Sequence, residues 1–167
     1  MTEQNPLLAD WSGPFGLPSF AAFTPERFRP AFDEALSRHR AEIDAIATDS
    51  ATPTFANTIE ALERSGRALE RVANVFFVLA GADTSDVIEE VERNVSPLLA
   101  RHGNAIYLNA KLYARIADLY ARRDGLGLSA EQARVLDRYY TRFVRAGAAL
   151  DKPERWQQRE RHMELPD

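Results

Sequence analysis

Apolar residues recur at intervals of three and four along most of the chain between residues 24 and 150. This spacing places them on one side of an α-helix, and it restricts the fold more than any other feature of the sequence. Alternating β-branched runs and Asn-Gly turns, which indicate strands and hairpins, are absent from the sequence. The pattern therefore predicts an all-α protein, in which an irregular Pro/Gly-rich lead precedes a bundle of five or six helices.

Residues that cap helices precede the apolar stretches. Thr24-Pro25-Glu26 combines a hydroxyl cap, a proline at the first helical position and an acid in the first turn. Ser129 followed by Gln132 has the spacing of a capping box. The remaining candidate caps are Thr54, Ser85 or Thr84, and Asn109. We therefore expect a helix to begin just after each of these positions, with a loop over residues 48–53.

Three residues interrupt the helical pattern. Pro30 should bend the start of the first helix or separate a short initial turn, and Pro97 should kink the third helix near Asn94. Gly66 lies in a gap of the apolar stripe of the second helix, which we expect to run on through it. A glycine at that position predicts a close contact with another helix.

The two ends of the chain differ in composition from the middle. Prolines and glycines forbid a continuous helix over residues 1–23, yet this lead is rich in apolar residues and should pack on the helices. Residues 24–150 form the predicted helical domain. Residues 151–167 form a divergent tail with few apolar residues, in which a last helix from about Pro153 to Glu164 is compatible with the sequence.

The most apolar stretch, VFFVLA at Val75–Ala80, is compatible with a packed core, a membrane segment or the wall of a cavity. Six residues are far fewer than the roughly 18 needed to span a bilayer, and Glu70, Arg71 and Asp83 flank them. A helix that is apolar on nearly every face is typical of one surrounded by other helices. The stretch therefore predicts a central helix of the bundle.

Composition excludes several classes of function. The net charge of −4 gives no basic excess for nucleic acid or an anionic membrane, so neither is a predicted partner. The absence of cysteine removes disulfides, thiolate catalysis and cysteine metal ligands. The N-terminus lacks a basic start followed by an apolar core, which predicts a cytoplasmic location.

Catalytic motifs are missing from the sequence. The histidines are His39, His102 and His162, each more than fifty residues from the next, so no HExxH motif exists. His39 and Glu42 share a helix face at i, i+3, as many ordinary surface pairs do. The acidic residues near Glu89 are explained by a solvated helix face. The sequence predicts no catalytic residue and no metal ligand in this chain.

One charged pattern is a candidate partner surface. Arginines recur on the fifth predicted helix at steps of four, four and three, beside two tyrosines: Arg134, Arg138, Tyr139, Tyr140, Arg142 and Arg145. These residues are compatible with a solvated face with local ion pairs, with a docking surface for an acidic partner or another domain, or with a nucleic-acid contact. We keep the six residues as the candidate interdomain or partner surface.

A series of longer motifs gives the chain a resemblance. In order, they are NPLL, GPFGLPSF, TPERFRPAFDEAL, AEIDAIA, PTFANTIEALERSG, RVANVFFVLAGADT, HGNAIYLNAKLYARI and LGLSAEQARVLDRYYTRFVRAGAAL. Over about residues 5–150 they resemble the N-terminal region of M3-family zinc metallopeptidases. Within that family, the chain looks more like the bacterial peptidyl-dipeptidases than like oligopeptidase A.

The resemblance implies a function for the region. It implies a helical part of one lobe beside a deep channel that admits short peptides. The family's zinc ligands, HExxH plus a later glutamate, have no matching position here, so zinc is implied only for a full-length relative. We therefore expect an access-restricting, channel-wall domain without the catalytic domain, inactive alone.

The alternative is a stand-alone helical interaction module derived from such a peptidase. The expected partner is the C-terminal catalytic domain or another protein chain, with self-association as a further alternative.

Overall fold

The computed structural model describes residues 5–11 and 13–149. These residues form helices and turns without any strand, so the predicted all-α class is confirmed. The helices are α1 Pro25–Thr48, α2 Ala61–Arg64, α3 Arg67–Ala82, α4 Asp86–Tyr107, α5 Ala110–Ala121 and α6 Ala130–Arg145. Short 3-10 turns lie at Pro14–Gly16, Phe20–Ala22 and Arg123–Gly125, and a π-helical turn at Phe55–Glu60 precedes α2. The predicted tail over residues 151–167 lies outside the described residues.

The contacts divide the chain into two compact units. Unit 1 comprises the residues up to Glu42 together with Arg64–His102, and unit 2 comprises Ile43–Glu63 together with the residues from Gly103 onward. Each unit has a hydrophobic core of its own. The grouping of residues 24–150 as one helical domain stays a prediction.

The core of unit 1 is built on three phenylalanines. Phe28 and Phe32 of α1 pack edge-on against Phe76 of α3, with ring centroids 5.1 and 5.4 Å apart, and all three are fully buried. Edge-to-face geometry is the favoured arrangement of aromatic pairs. Of the lead, Leu7 and Phe23 join this core, whereas its middle residues are exposed: Phe15, Leu17 and Phe20.

The core of unit 2 lies among the last turns of α1, the π-helical turn, α5 and α6. Ile59, Ile116 and Phe143 are fully buried in it. The Phe143 ring also packs edge-on against Tyr107, with the centroids 5.3 Å apart. These inward positions follow the three- and four-residue spacing seen in the sequence.

The predicted caps are confirmed at four positions, among them Ser85 before α4, whose Oγ accepts from Ile88 N at 3.4 Å. Asn57 N donates to Thr54 Oγ1 at 3.1 Å, and Thr54 N donates back to the Asn57 side chain at 2.7 Å. Ser129 and Gln132 form the predicted capping box at the start of α6. The Asn109 side chain accepts two backbone N–H groups at the start of α5.

The structure corrects two details of the helix predictions. The second helix does not run on through Gly66, because that residue has φ +74° in the left-handed region and separates α2 from α3. Of the two effects expected of Pro30, a separate initial turn is not found, since α1 extends without interruption from Pro25 to Thr48; the bend stays a prediction.

The prediction that VFFVLA lies at the centre of the bundle is wrong for one side of the helix. Within α3, Phe76 is fully buried, but Phe77 is 42% exposed and Val78 is 68% exposed. The pattern of apolar residues shows which faces of a helix could be buried, not how many neighbours are present to bury them. Among the described residues of unit 1, no neighbour buries this outer side of α3.

Candidate functional site

The arginines of the candidate partner surface all lie on exposed positions of α6. Arg134, Arg138, Arg142 and Arg145 point away from the core of unit 2, which α6 contacts through Leu136 and Phe143. None of these arginines takes part in an ion pair within 4.0 Å among the described residues. The local ion pairs considered from the sequence are therefore not found there, and the guanidinium groups are available to a partner.

The two tyrosines of the candidate surface contact unit 2 itself. Tyr139 donates from its hydroxyl to Glu63 Oε1 at 2.6 Å, and burial, with this carboxylate, raises the pKa of Tyr139 well above its usual range. The Tyr140 ring stacks on Tyr120 with centroids 3.9 Å apart and planes within 3°. The arginines thus form an exposed basic face, and both half-buried tyrosines contact other segments of unit 2. The use of these six residues as a partner surface stays a prediction.

A pair of histidines in unit 1 escaped the sequence analysis. His39 of α1 and His102 of α4 share a hydrogen bond, with Nδ1 and Nε2 2.9 Å apart. The second nitrogen of His39 lies 3.2 Å from the hydroxyl of Ser65. The two histidines are 63 positions apart in the chain, so no local spacing could have indicated this contact.

The backbone at Gly66 packs closely against His39 of this histidine pair. A Cβ atom at Gly66 would lie only 2.8–3.0 Å from the ring of His39, so the expected close helix contact is present. The Gly66 amide donates to Glu42 Oε2 at 2.6 Å. His39 and Glu42, which share a face of α1, thus hold the turn between α2 and α3 from one side.

Burial determines the protonation of the pair. It lowers the pKa of His39, an effect that the Glu42 carboxylate opposes. It also lowers the pKa of His102, to which the neighbouring His39 and Arg40 contribute in the same direction. Neutral rings can share one hydrogen, with one nitrogen donating and the other accepting. The pair is therefore a neutral structural contact at pH 7.

Arg115 is a second polar centre that the sequence analysis missed. This residue of α5 is only 7% exposed, and its guanidinium donates to the carbonyl oxygens of Asp49 and Ala51 at 2.5 and 3.1 Å. It also donates to Asn57 Oδ1 at 3.0 Å and forms an ion pair with the Asp49 carboxylate at 3.4 Å. One side chain thereby fixes the loop after α1 to the capped turn at Thr54.

The geometry of the described residues also bears on metal binding. Within residues 5–11 and 13–149, no three His, Asp or Glu side chains lie close enough together to hold a metal ion. The third histidine, His162, lies outside the described residues. In the same part of the chain, no helix combines the length and the apolar composition needed to cross a bilayer.

Comparison with known proteins shows where similar sequences occur. The chain is 42% identical to dipeptidyl carboxypeptidase of Escherichia coli over 93% of its own length, and 41% identical to that of Salmonella typhimurium over 90%. Oligopeptidase A of Salmonella typhimurium is 28% identical over 89% of the chain. No family model matches. The ordering expected from the motifs, with the dipeptidyl carboxypeptidases more similar than oligopeptidase A, is confirmed.

The similarity covers only part of each relative. The chain spans 21–23% of the length of these three proteins, so most of each of them lies outside the matched region. The resemblance to the N-terminal region of M3-family metallopeptidases is thus supported along nearly all of this chain.

Proposed function

Since this chain is related over nearly its whole length to one region of M3-family metallopeptidases, we propose that it forms the N-terminal helical part of a peptidyl-dipeptidase-like enzyme. The observation that carries the proposal is the 42% identity over 93% of the chain. In this role the helices are scaffold. They form part of the wall of a channel that restricts access to a zinc site elsewhere, for cleavage of short peptides.

The residues of the chain are consistent with scaffold. The polar centres of the described structure, at the histidine pair and at Arg115, join segments of their own units through hydrogen bonds. A zinc peptidase needs several ligands on one metal ion to polarise the carbonyl and activate water. The sequence of this chain contains no HExxH motif to supply them. We therefore propose that the chain alone does not hydrolyse peptides.

Activity of the purified chain tests the second part of this proposal. With zinc and short peptides, product formation should equal that of a mock purification from cells without the gene. Hydrolysis above that level that a chelator abolishes would contradict the proposal. The mock purification is essential, because host peptidases of the same family give the same products.

A chimera tests the structural role. The region of the Escherichia coli dipeptidyl carboxypeptidase that aligns with this chain is replaced by this whole chain. The expected result is retained dipeptidyl carboxypeptidase activity, and the same enzyme with the region deleted is the inactive control. A folded but inactive chimera would argue against the role as an enzyme part.

A second candidate function, a stand-alone interaction module, is favoured by the open basic face of α6. Four arginines at helical spacing fit an acidic protein surface, and such a contact weakens with salt. Self-association through this face would appear in light scattering as a mass that rises with concentration and falls with added salt. Arg138→Glu should abolish that rise, and Arg101→Glu, an exposed arginine of α4, is the matched control. A constant monomer mass would count against self-association.

We also propose a cytoplasmic location and no nucleic-acid partner, the latter because the net charge of −4 gives no basic excess.

A further inference from the structure

The turn between α5 and α6 contains the dipeptide Asp124-Gly125. No other aspartate or asparagine of the sequence is followed directly by a glycine. A glycine has no side chain to shield its backbone amide, and its backbone adopts more conformations than that of any other residue. The amide nitrogen of Gly125 can therefore approach the side-chain carboxyl carbon of Asp124 more closely than a residue with a Cβ atom would allow.

The Asp124 carboxylate is held only weakly in the folded chain. Its side chain is 93% exposed, and its carboxylate lies 3.9 Å from Arg123 Nε, too far for a hydrogen bond. Arg123 is held elsewhere, because it donates to the carbonyl of Tyr120 at 2.8 Å and its guanidinium lies 4.4 Å from the centre of the Tyr120 ring. The Asp124 side chain can therefore turn toward its own backbone.

The backbone of this turn is also weakly restrained. The Gly125 amide donates to the carbonyl of Arg122 at 3.0 Å, which closes the 3-10 turn Arg123–Gly125. Residues 121–125 are all exposed, so no buried side chain anchors this turn. Exposed turns with few contacts open locally at a small cost in free energy while the rest of the fold remains intact. Such an opening releases the Gly125 amide without unfolding unit 2.

Asp49 provides a comparison within the same unit, because it also precedes a small residue, Ser50. Its carboxylate accepts from Ala51 N at 2.9 Å and forms an ion pair with the buried Arg115 at 3.4 Å. Both contacts must break before the carboxyl carbon can reach the Ser50 amide. The structure thus restrains Asp49 and leaves Asp124 mobile.

We propose that Asp124-Gly125 is a site of spontaneous isoaspartate formation in the folded chain. The Gly125 amide nitrogen bonds to the side-chain carboxyl carbon of Asp124. The amide proton and the carboxyl hydroxyl leave together as water, which closes a cyclic succinimide. Water then breaks the bond between this nitrogen and the main-chain carbonyl carbon of Asp124. The atoms balance, because the water that is lost in the first step is regained in the second.

The product alters the connection between α5 and α6. The main chain now runs through the side-chain methylene and carbonyl of Asp124, and its former main-chain carbonyl becomes a free carboxylate. Leu126 and Leu128, which follow directly, are partly buried against the core of unit 2. A longer backbone before them displaces these side chains, so the modified chain should unfold at a lower denaturant concentration. The new carboxylate lies in an exposed turn, where an isoaspartyl methyltransferase can reach it.

Ageing of the purified chain at neutral pH tests the proposal. Isoaspartate is quantified by methyl transfer from S-adenosylmethionine with an isoaspartyl methyltransferase as the reagent, and peptide mapping locates it. At Asp124, the rate in the folded chain should be within about tenfold of the rate in the matching unfolded peptide, because the turn opens easily. At Asp49, the folded rate should be lower than the peptide rate by more than about tenfold, since the contacts of its carboxylate must break first.

Two variants test the chemistry at the site. Asp124→Glu keeps the charge but would require a larger ring, so it should remove isoaspartate at this position. Gly125→Ala adds a Cβ atom that meets no atom within 4 Å, so the fold should be retained while the amide is shielded and the rate falls. Freshly purified samples of both variants should have the same unfolding midpoint as the parent chain or a higher one.

The comparison of the two aspartates decides the outcome. A rate at Asp124 that folding suppresses as strongly as the rate at Asp49 would show that the turn is rigid, and would overturn the proposal. Isoaspartate that accumulates equally in Gly125→Ala would also overturn it, because the amide of residue 125 would then not be the attacking group. Suppression at Asp49 alone, with loss of the signal in Asp124→Glu, is the expected result.

Discussion

Replacing Gly66 by alanine perturbs the turn between α2 and α3 in two ways. The residue has φ +74°, a conformation in which an L-amino acid costs about 1–2 kcal/mol. The new Cβ atom would also lie 2.8–3.0 Å from the ring of His39, which is held by His102 and Ser65. The ring must then move, and the histidine pair is stretched or broken.

The two effects give an expected magnitude. Loss of the hydrogen bond between the histidines adds about 0.5–1.5 kcal/mol to the conformational cost, for a total of roughly 1.5–3.5 kcal/mol. Gly127→Ala is the matched control, because Gly127 has φ +63° and no atom within 4 Å of its Cβ position. That variant should show the conformational cost alone.

Denaturant unfolding followed by circular dichroism at the helix band measures both variants. Gly66→Ala should lower the free energy of unfolding by more than Gly127→Ala does, at an unchanged denaturant slope. In a His39→Ala background, the cost of Gly66→Ala should fall to the Gly127→Ala value, because the ring that the Cβ meets is gone. Equal costs of the two glycine variants, or no reduction in the double variant, would refute the assigned contact.

Further predictions concern the polar centres of the two units. Folding lowers the pKa values of His39 and His102, so the unfolded chain binds more protons than the folded chain at acidic pH. The contribution of the two histidines to the free energy of unfolding is therefore fully present above pH 6.5 and declines as the pH falls below it. Unfolding midpoints measured between pH 5 and pH 8 should show this decline, and His102→Gln should flatten it. Arg115→Ala should lower the free energy of unfolding by roughly 2–4 kcal/mol, because several buried acceptors lose their donor. The control is Arg29→Ala, which breaks an exposed ion pair and should change the free energy of unfolding by less than about 1 kcal/mol in the same denaturation assay. Tyr139→Phe removes one hydrogen bond to a carboxylate and should cost about 1 kcal/mol in chemical denaturation, and no loss at all would show that this bond contributes nothing net.

Several parts of the fold could be predicted because they depend on neighbours in the sequence. The capping box at Ser129 joins residues three positions apart, and the cap at Thr54 has the same reach. The helical spacing of apolar residues likewise depends only on the geometry of one helix. Gly66 marks the limit of such arguments. A close contact was expected at Gly66. The break in the helix was not expected, because it depends on the left-handed backbone conformation with which Gly66 approaches the ring of His39.

The candidate site shows the same division. The spacing of the arginines on α6 was evident from the sequence, and their exposure followed from it. The contacts of Tyr139 and Tyr140 were not evident from the sequence, since their partners Glu63 and Tyr120 come from other segments of unit 2. The histidine pair had no sequence signal, because the two residues are 63 positions apart and no local spacing indicates which α4 residue contacts His39.

By itself, the sequence determined the helical class, most of the helix starts and the relation to M3 peptidases, since these depend on local hydrogen bonding, residue spacing and ordered motifs. The start of α3 after Gly66 was not among them. Only the tertiary structure decided which apolar faces are covered. VFFVLA is apolar on almost every side, yet Phe76 is buried while Val78 is 68% exposed. Burial depends on the neighbours that the folded chain places around a helix, and the composition of that helix alone does not specify them.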